Sequence, residues 1–270
     1  MATFVRPPAV AGRFYPGEPD VLQTEVHSFL DNSKNGSSAF GCIVPHAGYM
    51  YSGHVAGAVY SEINLPGRCI LMCPNHTGRG QALSIMSSGE WKTPLGNARI
   101  DSDLATSLKQ EFSLLTEDVE AHRAEHAAEV QLPFLQACNP NLTFVPIALG
   151  TGQFEVLEAL GLAIAEVLAE IGEPVLIIAS SDMNHYENDS ITRVKDGKAL
   201  DQILALNPRG LFDVVMKEHI SMCGFGPSVV MLTATKQLGA QRARLVKYAT
   251  SGDISGDRNM VVGYAGVVVS

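Results

Sequence analysis

Eight histidines are spread through the 270 residues of the chain, and two of them follow apolar runs in nearly the same local setting. Phe40-Gly-Cys-Ile-Val44 leads into Pro45-His46-Ala47-Gly48-Tyr49, and Cys69-Ile-Leu-Met-Cys73 leads into Pro74-Asn75-His76-Thr77-Gly78. Proline fixes the direction in which the chain leaves each run, the imidazole follows, and glycine lets the backbone turn close to whatever the ring holds. Two neutral imidazoles in matching positions could converge on one divalent metal ion. A single loop histidine is more often a cap than a ligand. The repetition of the pattern is what favours ligation.

Other residues could share that chemistry. Ser180-Ser181-Asp182-Met183-Asn184-His185-Tyr186 puts Asp182 and His185 three apart on a loop leaving a buried run, where they could act as a base with its orienting carboxylate. The alternative for the pair is a helix cap and a surface histidine. In Glu125-His126-Ala-Ala-Glu129, a helical reading places His126 and Glu129 on one face, without the His-Glu-x-x-His of a metalloprotease. Thr250-Ser251-Gly252-Asp253-Ile254-Ser255-Gly256-Asp257 offers two carboxylates, equally readable as turn residues. Cys223-Gly224-Phe225-Gly226-Pro227 could present amide N–H groups to an anion, or Cys223 could be an inert packed thiol. His54 reads as a supporting or structural residue, and His27 and His219 lie on helical faces. The chain has no Gly-x-Ser-x-Gly elbow, no P-loop, and no Gly-x-Gly-x-x-Gly after its first strand, which sets aside the usual hydrolase, nucleotidase and dehydrogenase readings.

These residues need elements to position them. Apolar runs with little polar alternation, at 40–44, 69–73, 143–147, 174–179 and 261–269, suit strands buried on both faces, and Leu245 to Ala249 adds another. Helical patterns lie at 19–30, 53–63, 102–111, 127–138, 154–171, 195–206 and 227–238, with Pro19 and Pro227 suited to first turns. Alternation of this kind predicts an α/β fold: a three-layer α/β/α domain over residues 1–270, with a central, largely parallel or mixed sheet. In such sheets ligands bind outside the carboxyl ends of strands, where His46, His76, Asp182 and His185 stand. Asn32 to Ser38 reads as the loop after the first helix. Composition agrees with a filled core, at 46% hydrophobic and 17% charged residues, and a net charge of -9 disfavours nucleic-acid or anionic-membrane partners. The first sixteen residues, with Arg6 and Arg13, read as neither signal peptide nor anchor. Five widely spaced cysteines without a Cys-x-x-Cys pair read as reduced thiols of a cytoplasmic protein.

Taken together, Arg6-Pro-Pro-Ala-Val-Ala-Gly-Arg-Phe-Tyr-Pro16, Pro45-His-Ala-Gly-Tyr49, Pro74-Asn-His-Thr-Gly78, Glu125-His126 through Pro133, Ser180 to His185, Cys223-Gly224 and Tyr248-Ala-Thr-Ser-Gly-Asp253 resemble the Memo family almost end to end. The likeness is to its microbial branch, called AmmeMemoRadiSam system protein B. That family is similar in fold to the class III extradiol dioxygenases, which hold non-haem iron with two histidines and a carboxylate. The resemblance implies His46 and His76 as metal ligands, and Asp182, His185 and His126 in the same pocket, with His185 at the acid/base position. The loop after Tyr248-Ala249 has no cysteine, so a cysteine-based copper site is not expected; Asp253 is expected to complete the ligand set, with Asp257 in reserve. The implied activity is that of a metal-dependent oxidoreductase using Fe(II), with zinc or copper as other metals and an unidentified substrate. The alternative is a non-catalytic protein whose inherited pocket binds a small ligand, a peptide, or radical-SAM and AMMECR-type partner proteins.

Overall fold

The apolar runs form the middle of one large sheet in the computed structural model, which describes residues 4–31 and 36–270. Five parallel strands lie in the spatial order β6 (Gly96–Ile100), β8 (Thr143–Leu149), β3 (Arg68–Pro74), β9 (Leu176–Ser180) and β2 (Gly41–Val44). Beyond β2 runs the antiparallel β12 (Val261–Val269), which also pairs with β11 (Ala243–Thr250) and the short β10 (His185–Glu187). At the far side β5 (Glu90–Thr93) and β1 (Val5–Arg6) extend the sheet past β6, while β4 (Leu83–Ile85) and β7 (Thr116–Glu117) continue it from the carboxyl half of β8.

Because successive side chains in a strand point to opposite faces, each buried run feeds two cores. Ile43, Ile70, Met72, Ile177 and Ala179 face the core formed with α3 (Ser102–Glu111), α6 (Phe154–Ile171), α7 (Asp189–Leu204), α8 (Pro208–Lys217) and α9 (Phe225–Gln237). Cys42, Val44, Cys69, Leu71, Cys73 and Ile178 face the other core, under α1 (Pro19–Phe29), α2 (Tyr49–Ser61) and α5 (Leu132–Cys138). The expected three-layer α/β/α architecture is therefore present, and three of the five cysteines are packing residues within it. All five thiols are unpaired.

Several boundaries differ from expectation for local reasons. The helix expected over 127–138 begins only as a 3-10 turn at Glu129–Gln131 followed by α5, so His126 precedes it and does not share a helical face with Glu129. α7 starts at Asp189 because Asn188 caps it, its side chain accepting the Ser190 N–H. α8 was not anticipated, although Asn207-Pro208 provides both a cap and a first-turn proline. Two further short helices, α4 (Glu120–Arg123) and α10 (Ser251–Ser255), flank site loops. Of the loop expected at 32–38, residues 32–35 lie outside the described residues. Among the described residues no helix is long and apolar enough to cross a membrane.

The Arg6–Pro16 motif acts as a strap. Arg6 is 1% exposed; it donates to the carbonyls of His122 and Glu125, both at 2.7 Å, and to Glu129 Oε2 at 2.6 Å, with its guanidinium 4.1 Å from the Trp91 ring centroid. The Glu129 carboxylate also accepts the N–H groups of Ala9 and Val10 and the Tyr15 hydroxyl, at 2.7, 3.0 and 2.7 Å. A buried ion pair is tolerable only when its remaining donors and acceptors are satisfied in this way. The strap thus anchors the segment that carries Glu125 and His126.

Candidate metal centre

Adjacent strands lie about 4.8 Å apart, so the residues leaving β3, β9 and β2 arrive side by side. They are His76, Asp182 and His46. Together with Phe14, His126, His185 and Cys223 they line a cavity of about 600 Å³ at the carboxyl edge of the parallel strands. The His46, His76 and His126 rings pack against one another, with centroids 5.2, 5.4 and 4.8 Å apart.

For His46 and His76 the partner behind the ring sets the tautomer. Ser180 Oγ donates to the Ala127 carbonyl at 2.6 Å and accepts from Gln131 Nε2 at 2.9 Å. Its contact with His46 Nδ1, at 3.0 Å, must therefore be a hydrogen bond donated by the ring. His76 Nδ1 donates to Glu125 Oε1 at 2.9 Å, and its backbone N–H donates to Oε2 at 2.6 Å. His126 Nδ1 lies 3.3 Å from the same Oε1. With Nδ1 of His46 and of His76 protonated, Nε2 of each carries the free lone pair, the state a metal requires. Burial, reinforced by the neighbouring imidazoles, holds the His46 pKa well below the usual histidine range. Burial likewise lowers that of His126. Burial is the largest influence on the Glu125 pKa and works to raise it, but hydrogen bonds from His76 and the Ala127 N–H together with the charges of His76 and His126 outweigh it and keep the pKa below the ordinary carboxylate value.

Cys223 Sγ lies 3.1 Å from His46 Nε2. Burial and the nearby Asp182 carboxyl push this thiol well up, so in the metal-free protein the S–H donates to the imidazole. The loop approaches because Gly224 has no side chain: a Cβ there would collide with the Ser180 carbonyl and the Ser181 side chain at the end of β9. Asp182 Oδ1 accepts the His46 N–H at 2.7 Å, and burial raises its carboxyl pKa to about 6.

Among the described residues two groups of side chains could hold a metal ion, each with its ligand atoms within 4.8 Å of one another: His46, His76 and Cys223, and His76, Glu125 and His126. Only the first has all its members in the cavity wall. In the second, the Glu125 side chain is 0% exposed and its oxygens already accept the two His76 N–H groups and that of Ala127. Its place is to orient the His76 imidazole, as a carboxylate behind a metal-bound histidine does. The first set, two Nε2 lone pairs and a thiol that can ionise on binding, fits a transition-metal ion.

The structure brings together His46, His76, His126, Asp182 and His185 but not Asp253. That carboxylate accepts the Thr250 N–H at 2.9 Å in the capping box of α10 and meets Arg193 Nη2 at 2.8 Å and Arg258 Nη2 at 3.3 Å. Asp257 accepts from the backbone and side chain of Asn259, both at 2.9 Å. The thiol of Cys223 stands where the sequence reading placed a carboxylate. Nor does Asp182 orient His185, whose Nδ1 donates to the Ser221 carbonyl at 2.9 Å. Sequence reasoning assigned no role to Glu125 or Ser221. His54 is half-buried outside the cavity wall, with Nε2 lacking a hydrogen-bond partner.

Fold and site define an α/β protein with a cluster of imidazoles and one thiol at the carboxyl edge of its parallel strands. The family described as Memo-like protein matches residues 6–268, and the chain belongs to that family. It is 40% identical to a MEMO1 family protein of Methanopyrus kandleri, with 97% of this chain and 98% of that one covered. It is 42% identical to relatives so named in Methanosarcina barkeri, covering 98% and 100%, and Ignicoccus hospitalis, covering 97% and 98%.

Proposed function

We propose that the protein is a cytoplasmic metal-dependent oxidoreductase in which His46 Nε2, His76 Nε2 and Cys223 Sγ hold one redox-active ion, Fe(II) first and copper as its competitor. The observation that carries this reading is the tautomer arrangement: both imidazoles have Nδ1 committed to an acceptor behind them, leaving Nε2 beside a thiol. A thiolate in place of the expected carboxylate softens the donor set and strengthens the case for copper relative to a two-histidine, one-carboxylate site. The bound ion would supply one-electron chemistry and open coordination positions for substrate and oxidant.

The chain's own groups handle binding and protons. Phe14, Tyr186, Val262 and Tyr264 form apolar and aromatic walls suited to a ring-bearing substrate. His185, with Nδ1 donating to Ser221, has a bare Nε2 to accept a proton. Asp182, with a pKa near 6, sits in the same cavity as a second site for a proton. Five unpaired thiols support the placement in a reducing compartment.

The test is metal analysis of protein purified without added metal, followed by anaerobic Fe(II) and Cu(I) titrations and dioxygen uptake with chelating aromatic diols. The parent should bind one ion, while His46→Ala and Cys223→Ser should lose stoichiometric binding and uptake. Equal loading of both variants and parent would overturn the ligand set; a loaded parent that oxidises nothing would overturn the activity.

A further inference from the structure

Asn184 is 0% exposed, its hydrogen bonds run to residues other than the candidate ligands, and every one of its hydrogen-bonding positions is filled. Its Oδ1 accepts from both the N–H and the hydroxyl of Ser221, at 3.1 Å each, and its Nδ2 donates to Glu187 Oε2 at 2.7 Å and Thr192 Oγ1 at 3.3 Å. Its backbone N–H donates to Asp196 Oδ1 at 2.8 Å and its carbonyl accepts the Gly263 N–H at 2.9 Å. A primary amide has two donors and one oxygen with two lone pairs, so the set calls for an amide side chain, and the short one of Asn places it here. Ser221 passes the contact on: its Oγ accepts the His185 N–H at 2.7 Å and its carbonyl accepts His185 Nδ1–H at 2.9 Å. Two residues further along comes Cys223, whose Sγ accepts the Asp182 N–H at 3.3 Å.

We propose that Asn184 is a positioning residue: through Ser221 it docks the loop carrying Cys223 onto the loop carrying Asp182 and His185, and fixes His185 in the tautomer with a bare Nε2. A carbonyl can only accept, so His185 Nδ1 must hold the proton as long as Ser221 stays in place. Because Ser221 and Cys223 share one short loop, the same amide sets how far the thiol stands from His46. The part of this role that concerns the thiol rests on the metal reading above; the part that concerns the His185 tautomer does not.

The experiment uses the full chain with Co(II) alone as probe, whose thiolate charge-transfer absorption reports Cys223 ligation, and ¹⁵N NMR of the metal-free protein, which reports the His185 tautomer. Asn184→Leu removes the hub; Ser221→Ala, a milder change, removes only the hydroxyl, and Ser221→Thr restores it. Asn184→Leu and Ser221→Ala should bind Co(II) about 10- to 100-fold more weakly, with a diminished thiolate band, and Ser221→Thr should recover both. The parent's His185 should be protonated at Nδ1, and Asn184→Leu should give a mixture of tautomers. A parent protonated at Nε2, or variants that keep the parental band, affinity and tautomer, would overturn the proposal. A parent without a thiolate band but with a tautomer that shifts in Asn184→Leu would defeat the metal reading and leave the positioning role standing.

Discussion

Glu125 holds the His76 imidazole with one carboxylate whose two oxygens face three N–H donors: His76 Nδ1, the His76 backbone and the Ala127 backbone. Glu125→Gln keeps the size but leaves one acceptor oxygen, so at least one buried donor loses its partner, at about 1–3 kcal/mol. Anaerobic Fe(II) titration should show affinity about 10- to 100-fold below the parent's, since groups behind metal ligands act at that level; unchanged affinity would remove Glu125 from the ligand-orienting role. At this scale the sequence exposed His46 and His76 clearly, because their strand-end setting is repeated, and it placed Asp182, His185 and His126 in their company. It did not foresee that Asp253 stands outside the cavity. Thr250-x-x-Asp253 fits a capping box, and that local role, with Arg193 alongside, consumes the carboxylate that seemed free. Cys223 comes from a loop remote in sequence, where it read as part of an anion site or as a packed thiol; its approach to His46 depends on Gly224, whose lack of a side chain lets the loop close on β9.

Among the elements, α7 carries a burden its sequence does not advertise. Asp196 is 0% exposed and accepts from the Asn184 backbone at 2.8 Å and the Tyr248 hydroxyl at 2.7 Å, while burial raises its pKa to about 6. The unfolded chain ionises this group near 3.8, the folded protein only near 6. Stability should therefore fall as pH rises between those values, by about 3 kcal/mol once above the folded pKa. Asp196→Asn should flatten that slope, so thermal melts should show the variant gaining on the parent from about pH 4 to pH 6 and holding the gain above. A constant difference across the range would refute the assignment. Long elements such as α3 and α6 were legible to the residue, because their periodic faces span several turns. The strands β1, β4, β5, β7 and β10, of two to four residues, were not. Segments that short take their conformation from the neighbour they pair with rather than from their own pattern.

For the molecule as a whole, the strap is the most consequential contact. Arg6 and Glu129 are 123 positions apart and both fully enclosed. Glu129→Ala would strand a buried guanidinium and should cost about 3–5 kcal/mol, seen as a melting point lower by on the order of 10 °C; a loss of only a degree or two would mean the strap contributes little. The layered architecture was foreseeable from alternating buried runs and helices, whereas the strap depends on a pairing across half the chain that no local pattern encodes. The same long reach governs the candidate metal centre, whose Cys223 and His46 are 177 positions apart. A ribosome adding about 5–20 residues per second needs roughly 10–35 s to make that interval. His46 and His76 wait through it without the thiol. On the proposed ligand set, the complete donor group exists only once synthesis has passed residue 223, so coordination by all three side chains would belong to the last stage of the chain's making or to the finished protein.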